Sequence, residues 1–200
     1  MNKLVQFLGV LLLATACSYN NVPMDVRSML NYLPLEIGNS WDFKTLYGSP
    51  YSRIHREVMG KATINNREYY LLVTTSSYST IPDSSYYRID NNGFVYIHRY
   101  YQGNFEDNRF RLNASNGDSW TYPIDNNSIA TIRTTAESLV LGDTEVKNCK
   151  GYYFDVAKWA DEEYTIILAP EIGFAKEYSN AWGLGQVLKS AKIHGEIHNF

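Results

Sequence analysis

Cysteine is scarce in this chain: Cys17 and Cys149 are the only two. A framework of several disulfides, the usual staple of small exported domains, is excluded. Long apolar runs are lacking as well. The stretch Leu4 to Leu13 is too short to span a bilayer comfortably. Helical periodicity is almost absent from Ser40 onward, which argues against helical and α/β architectures. No basic patch with interleaved aromatics occurs and the formal net charge is −3, so nucleic acid is not an expected partner. A glycine-rich phosphate loop is missing too, since Gly183-Leu-Gly185 after Trp182 reads as a turn. None of the four histidines stands near a serine in an elbow motif, so no Ser-His-Asp arrangement can be argued.

What is present points to a folded β protein. At 200 residues the chain suits one domain with a well-buried core. Charged residues make up 20% and aromatics 14%, with 17 tyrosines, a composition that argues against disorder.

The first residues form a leader. Met1-Asn-Lys3 is a short positive region, Leu4 to Leu13 an apolar one, and Ala14-Thr-Ala16 the small-residue ending that a signal peptidase needs. Leu13-Ala-Thr-Ala-Cys17 resembles a bacterial lipobox, in which Cys17 is acylated and becomes the mature N-terminus; an ordinary secretory signal with an incidental cysteine is the alternative. Residues 1–16 are thus read as a lipoprotein signal peptide, 17–31 as a tether and 32–200 as a single β domain. Roughly fourteen tether residues at about 3.5 Å each reach on the order of 50 Å. Acyl chains on Cys17 would hold the domain on a membrane, and Ser18 rather than Asp after the cysteine points to the outer membrane, facing the periplasm. Cys149 then has no partner. It enters an apolar strand without a nearby His or a helix N-terminus, and is read as a small buried hydrophobe.

Strands are expected near residues 40–47, 51–60, 68–77, 85–90, 94–101, 107–112, 119–123, 129–141, 150–159, 163–169, 173–179 and 185–197. Asn65-Asn66, Asn91-Asn92-Gly93 and Asp161-Glu162-Glu163 supply hairpin turns. Connections this short make neighbours antiparallel. The predicted fold is all-β, an antiparallel meander of about ten to twelve strands forming a β-sandwich or a strongly curved half-open barrel. In the last strand Val187, Ala191, Ile193 and Ile197 share a buried face, with Ser190, Lys192, His194, Glu196 and His198 opposite. Strands apolar on both faces, such as Tyr69 to Val73, lie mid-structure or line a cavity.

One device occurs twice. Leu33-Pro-Leu-Glu-Ile-Gly-Asn-Ser-Trp-Asp-Phe43 and Leu112-Asn-Ala-Ser-Asn-Gly-Asp-Ser-Trp-Thr-Tyr122 place Leu, Gly, Ser, Trp and an aromatic in the same register. Gly38 and Gly117 free the backbone for a turn, and Trp41 and Trp120 anchor the following strand in the core. These four are structural residues and are not chemistry.

Candidate chemistry is thin. His194-Gly-Glu-Ile-His198 has metal-ligand residue types, but on a strand residues four apart lie roughly 13 Å apart, so a solvated face is the reading taken. Asp161-Glu162-Glu163 is read as a solvated hairpin tip rather than a calcium site. Tyr86, Tyr87, Tyr96, Tyr100 and Tyr101 with Phe94 could form a sugar- or lipid-contacting platform, although such residues are also ordinary strand formers. No catalytic, cofactor-binding or metal residue is assigned.

Four blocks, Tyr32-Leu-Pro-Leu-Glu-Ile-Gly-Asn-Ser-Trp41, Gly117-Asp-Ser-Trp120, Val146-Lys-Asn-Cys149 and Leu168-Ala-Pro-Glu-Ile-Gly-Phe-Ala-Lys176, resemble in their order a family of bacterial envelope lipoproteins of unknown function. The resemblance spans about residues 32 to 197 and implies a β-rich exported domain, without catalytic residues to carry over. The functional expectation is a non-enzymatic, lipid-anchored envelope domain binding a protein, glycan or apolar ligand. Its alternatives are a periplasmic carrier or chaperone for lipid or lipoprotein and a metal-dependent hydrolase.

Overall fold

The computed structural model describes residues 31–46, 52–98, 106–124 and 128–200. These hold thirteen strands and no α-helix: β1 (Ser40–Thr45), β2 (Arg53–Ile64), β3 (Arg67–Ser76), β4 (Ser79–Ile89), β5 (Phe94–His98), β6 (Glu106–Arg111), β7 (Ser119–Pro123), β8 (Ile129–Leu141), β9 (Thr144–Val156), β10 (Tyr164–Ala169), β11 (Gly173–Ser179), β12 (Gly185–Ile193) and β13 (Glu196–Asn199). All belong to one antiparallel sheet in the order β6-β5-β4-β3-β2-β1-β12-β11-β10-β9-β8-β7, with β13 pairing beside β12. Two six-stranded meanders, β1 to β6 and β7 to β12, are thus joined along β1 and β12.

The meander closes into a nearly complete barrel rather than a sandwich. Register shifts interrupt the β1–β12, β2–β3, β3–β4, β5–β6, β8–β9 and β10–β11 ladders. Each such bulge bends its strand and adds twist, the means by which an open sheet curls on itself. The two end strands, β6 and β7, share no ladder among the described residues. Across their seam the Trp120 indole N–H donates to the Asn108 carbonyl at 3.2 Å.

The predicted run 185–197 is two strands. His194 and Gly195 take φ of 51° and 84°, and β13 folds back with Ile193 opposite Glu196. The Asn39 side chain accepts the His194 N–H at 2.9 Å, which fixes the reversal. The parity of the last residues is therefore lost, and Ile197, expected on the buried face, is 70% exposed.

The doubled Gly-Trp device starts the first strand of each meander. Gly38 and Gly117 have φ of 90° and 88° with open space where a Cβ would stand, so the need is for positive φ alone. Gly38 N–H donates to the Val58 carbonyl and Val58 N–H to Asn39; Gly117 N–H donates to Thr134 and Thr134 N–H to Asp118. Leu33, Leu112, Trp41 and Trp120 are all buried. Around Trp41 the core is dense: its ring meets Phe174 edge-on at 5.4 Å, and Leu33 and Leu35 close that end of the barrel.

Candidate functional site

Away from that packed end the barrel encloses a cavity of about 480 Å³. Its walls are largely aromatic, with Tyr87, Phe110, Tyr122, Phe154, Tyr164 and Phe174 contributing. It reaches solvent where Ile124, directly after β7, and half-exposed Trp159 and Glu162, between β9 and β10, line it. A space of this size falls within the range of small-molecule sites.

Charged side chains are also inside. Arg56 donates to both oxygens of Glu177, at 2.7 and 3.4 Å, and Gln186 donates to the same carboxylate at 2.6 Å. Burial opposes the charge on Glu177, but the guanidinium of Arg56 and these hydrogen bonds outweigh it and hold the carboxyl below its usual range. The Arg56 guanidinium lies 4.4 Å from the Phe174 ring centre. This pair is satisfied and closes one side of the cavity.

Arg109 is different. Opposite β5, Val95 pairs with Phe110 and Tyr96 with Asn108, which leaves Arg109 as the extra residue of a bulge. Two consecutive residues, Arg109 and Phe110, consequently both line the cavity, which strict alternation would forbid. Arg109 is 9% exposed, and Tyr122 and Phe154 flank its guanidinium at 5.3 and 5.5 Å. It donates to the Tyr164 hydroxyl and, at 3.4 Å, to Asp107. Its Nε has no hydrogen-bond partner. Burial works against its charge, but Tyr164, Tyr122 and Asp107 overcome this and raise its pKa.

A second, open groove of about 760 Å³ runs along the closed end, floored by Leu33, Tyr70, Ile89 and Ile193, with Glu36, Glu171, Glu196, His194 and His198 also lining it. It adjoins Asn31, where the described chain begins.

Cys17 lies outside the described residues, as do Tyr100 and Tyr101. Gly38, Trp41, Gly117 and Trp120 stand at the two strand starts and do not line the cavity. The tyrosine platform is not one surface: Tyr87 points into the cavity, whereas Tyr96 lies under Arg88 at 3.8 Å and Phe94 under Arg111 at 4.9 Å. The histidines do not converge on the cavity, and only His194 and His198 share a site, the open groove that Glu36, Glu171 and Glu196 also line. His55 bonds Asp42 and Glu57, His98 is buried beside the Tyr69 ring, His194 in its turn bonds Glu36, and His198 sits on β13. Asp155, Glu162 and Glu163 bring carboxylate oxygens within 4.8 Å of one another, and no histidine joins them. One oxygen of Glu162 accepts the Val156 N–H at 3.0 Å, so this acid shapes the hairpin.

Sequence reasoning did not single out Arg56, Arg109 or Glu177. Charged residues in a strand read as solvent-facing, and the bulge that turns Arg109 inward carries no proline or glycine to announce it.

No family model matches the chain, and no curated protein matches it. Two solved structures are similar in shape. One, provisionally described as a lipoprotein from Parabacteroides distasonis ATCC 8503, is 14% identical, with 84% of this chain and 98% of that one covered and a TM-score of 0.43. The other, provisionally described as an exported protein with a YmcC-like fold from Bacteroides fragilis NCTC 9343, is 14% identical, with 84% and 99% covered and a TM-score of 0.41. Neither likeness bears on ligand or role.

Proposed function

We propose that this chain is a non-enzymatic envelope protein, anchored through acylated Cys17, whose barrel binds a small, largely apolar molecule. The observation that carries the reading is the cavity of about 480 Å³ with six aromatic walls and a mouth at one end. Aromatic interiors gain most when water is replaced by an apolar body. No histidine is among the described residues that line the cavity, which favours binding over catalysis there, because an acid, a base and a nucleophile would have to converge on one point.

Ala130 is 1% exposed and lines the cavity. Ala130→Phe should fill the space and abolish uptake of an environment-sensitive apolar fluorophore while the domain stays folded. Undiminished uptake by a folded Ala130→Phe variant would place binding elsewhere and defeat the reading. Mass spectrometry after gentle extraction should find a small molecule that the variant lacks. The anchor is tested separately: labelled palmitate should enter the unaltered protein and not Cys17→Ala, and cell fractionation of the pair tests the outer-membrane, periplasm-facing location.

The carrier reading uses the same cavity. It is favoured by the seam between β6 and β7, where the described residues form no ladder and the Trp120 to Asn108 hydrogen bond spans the gap. Transfer of a labelled lipid between vesicle populations, accelerated by the protein, distinguishes a carrier from a static binder.

A further inference from the structure

We propose that Arg109 is the polar recognition group of the cavity and that its ligand is electrically neutral: an apolar body carrying an ester or amide carbonyl for Arg109 and a hydroxyl for Glu162. This rests on the cavity-binding reading above and names the chemistry of what is bound.

Two buried polar atoms in the lining lack partners. Arg109 Nε is a donor without an acceptor, on a residue 9% exposed, and Glu162 Oε2 is an acceptor without a donor. Leaving such atoms buried and unpaired is costly, so a bound molecule that satisfies them gains affinity and orientation together. The bulge at Arg109 serves this arrangement. It spends a ladder position to bring an arginine into an aromatic chamber, and the Tyr122 and Phe154 rings, with the Tyr164 hydroxyl, hold the guanidinium in place.

Charge decides between a neutral ligand and an anion. Arg56 is matched by Glu177 and Arg109 by Asp107, and Glu162 adds one further carboxylate at the mouth. An entering anion would find no unmatched cation and would pass a carboxylate on its way in. In a low-dielectric chamber that repulsion is poorly screened. A neutral carbonyl oxygen accepts from Nε without adding charge.

The experiment is calorimetric titration of the full mature chain with a medium-chain monoacylglycerol, with the ionised fatty acid of the same chain length and with the matching alkane, each below its aggregation concentration. The monoacylglycerol should bind at least about tenfold more tightly than the other two, as loss of one charge-assisted hydrogen bond implies. Arg109→Met combined with Asp107→Asn, which removes the buried pair together and leaves the Glu162 contact in place, should weaken the monoacylglycerol about tenfold and leave the alkane unchanged. Tighter binding of the fatty acid, or equal binding of ester and alkane to the unaltered protein, overturns the proposal without need of any variant. If all three bind equally and Ala130→Phe abolishes all three, the cavity reading stands and the role of Arg109 falls. If none binds, or Ala130→Phe leaves binding intact, the cavity reading falls and this proposal with it.

Discussion

Arg56 and Glu177 meet through two hydrogen bonds across the barrel interior, although β1 and β12 separate their strands in the sheet. Their side chains are 12% and 21% exposed. Removing one partner of such a pair strands the other, so Glu177→Gln should cost about 3 kcal/mol, the low end for buried pairs. Arg56→Met with Glu177→Leu should cost clearly less than the two single changes added together. Denaturant unfolding checks this, with the midpoint shifting and the slope unchanged.

Acid should destabilise the barrel through two glutamates. Glu177 is held low as described. At Glu106 on the outer surface, burial pushes the carboxyl up, but hydrogen bonds from Arg88 and Tyr69 and the charges of Arg88 and Arg67 push harder, and the net shift is downward. A carboxyl with a depressed folded pKa contributes stability that is fully present above its unfolded value, roughly 4.3. That contribution is lost as pH falls through the folded value. Melting temperature should therefore hold steady from neutral pH to about pH 5 and drop below it. Glu106→Gln should flatten part of that drop.

The meander was legible because its turns are. Asn65 and Asn66, with φ of 50° and 60°, form the two-residue hairpin their identity announces, and Ile64 pairs with Arg67 across it. The strand starts at Trp41 and Trp120 were legible from the shared register of two short stretches. What stayed hidden depends on long-range closure. Whether a curved sheet becomes a barrel is settled by bulges; the one at Met59 stands beside Gly60, but the one at Arg109 carries no turn residue. Tyr87 reads like Tyr86 in sequence. Only closure makes the first a cavity wall.

Cys149 should be inert while the protein is folded. It is 2% exposed, its thiol lies 3.4 Å from the Val146 carbonyl, and burial, with the nearby Glu137 carboxylate, pushes its pKa up to about 11. The reactive thiolate is thus almost absent at neutral pH. A thiol reagent should label Cys149 slowly in native protein and promptly in denaturant. Fast native labelling would mean that this part of β9 opens.

Trp41 and Gly173 test the packed end of the barrel. The Trp41 indole N–H donates to the Ile172 carbonyl at 2.6 Å. At the next residue a Cβ would stand 3.1 Å from two atoms of the indole, and φ is +95°. Gly173→Ala thus meets both a strained backbone and a tight neighbour, whereas Gly38→Ala meets backbone strain alone, with open space around it. Trp41→Ala should cost about 3–5 kcal/mol, as large-to-small core changes do. Gly38→Ala should cost about 1 kcal/mol, and Gly173→Ala should fall between the two. Since Trp41 does not line the cavity, Trp41→Phe, which deletes the donor to Ile172 but keeps a ring against Phe174, should lower the melting temperature and leave uptake of an apolar fluorophore within twofold, about 0.4 kcal/mol. A large loss of uptake in a folded Trp41→Phe protein would show that the packed end and the cavity act as one unit.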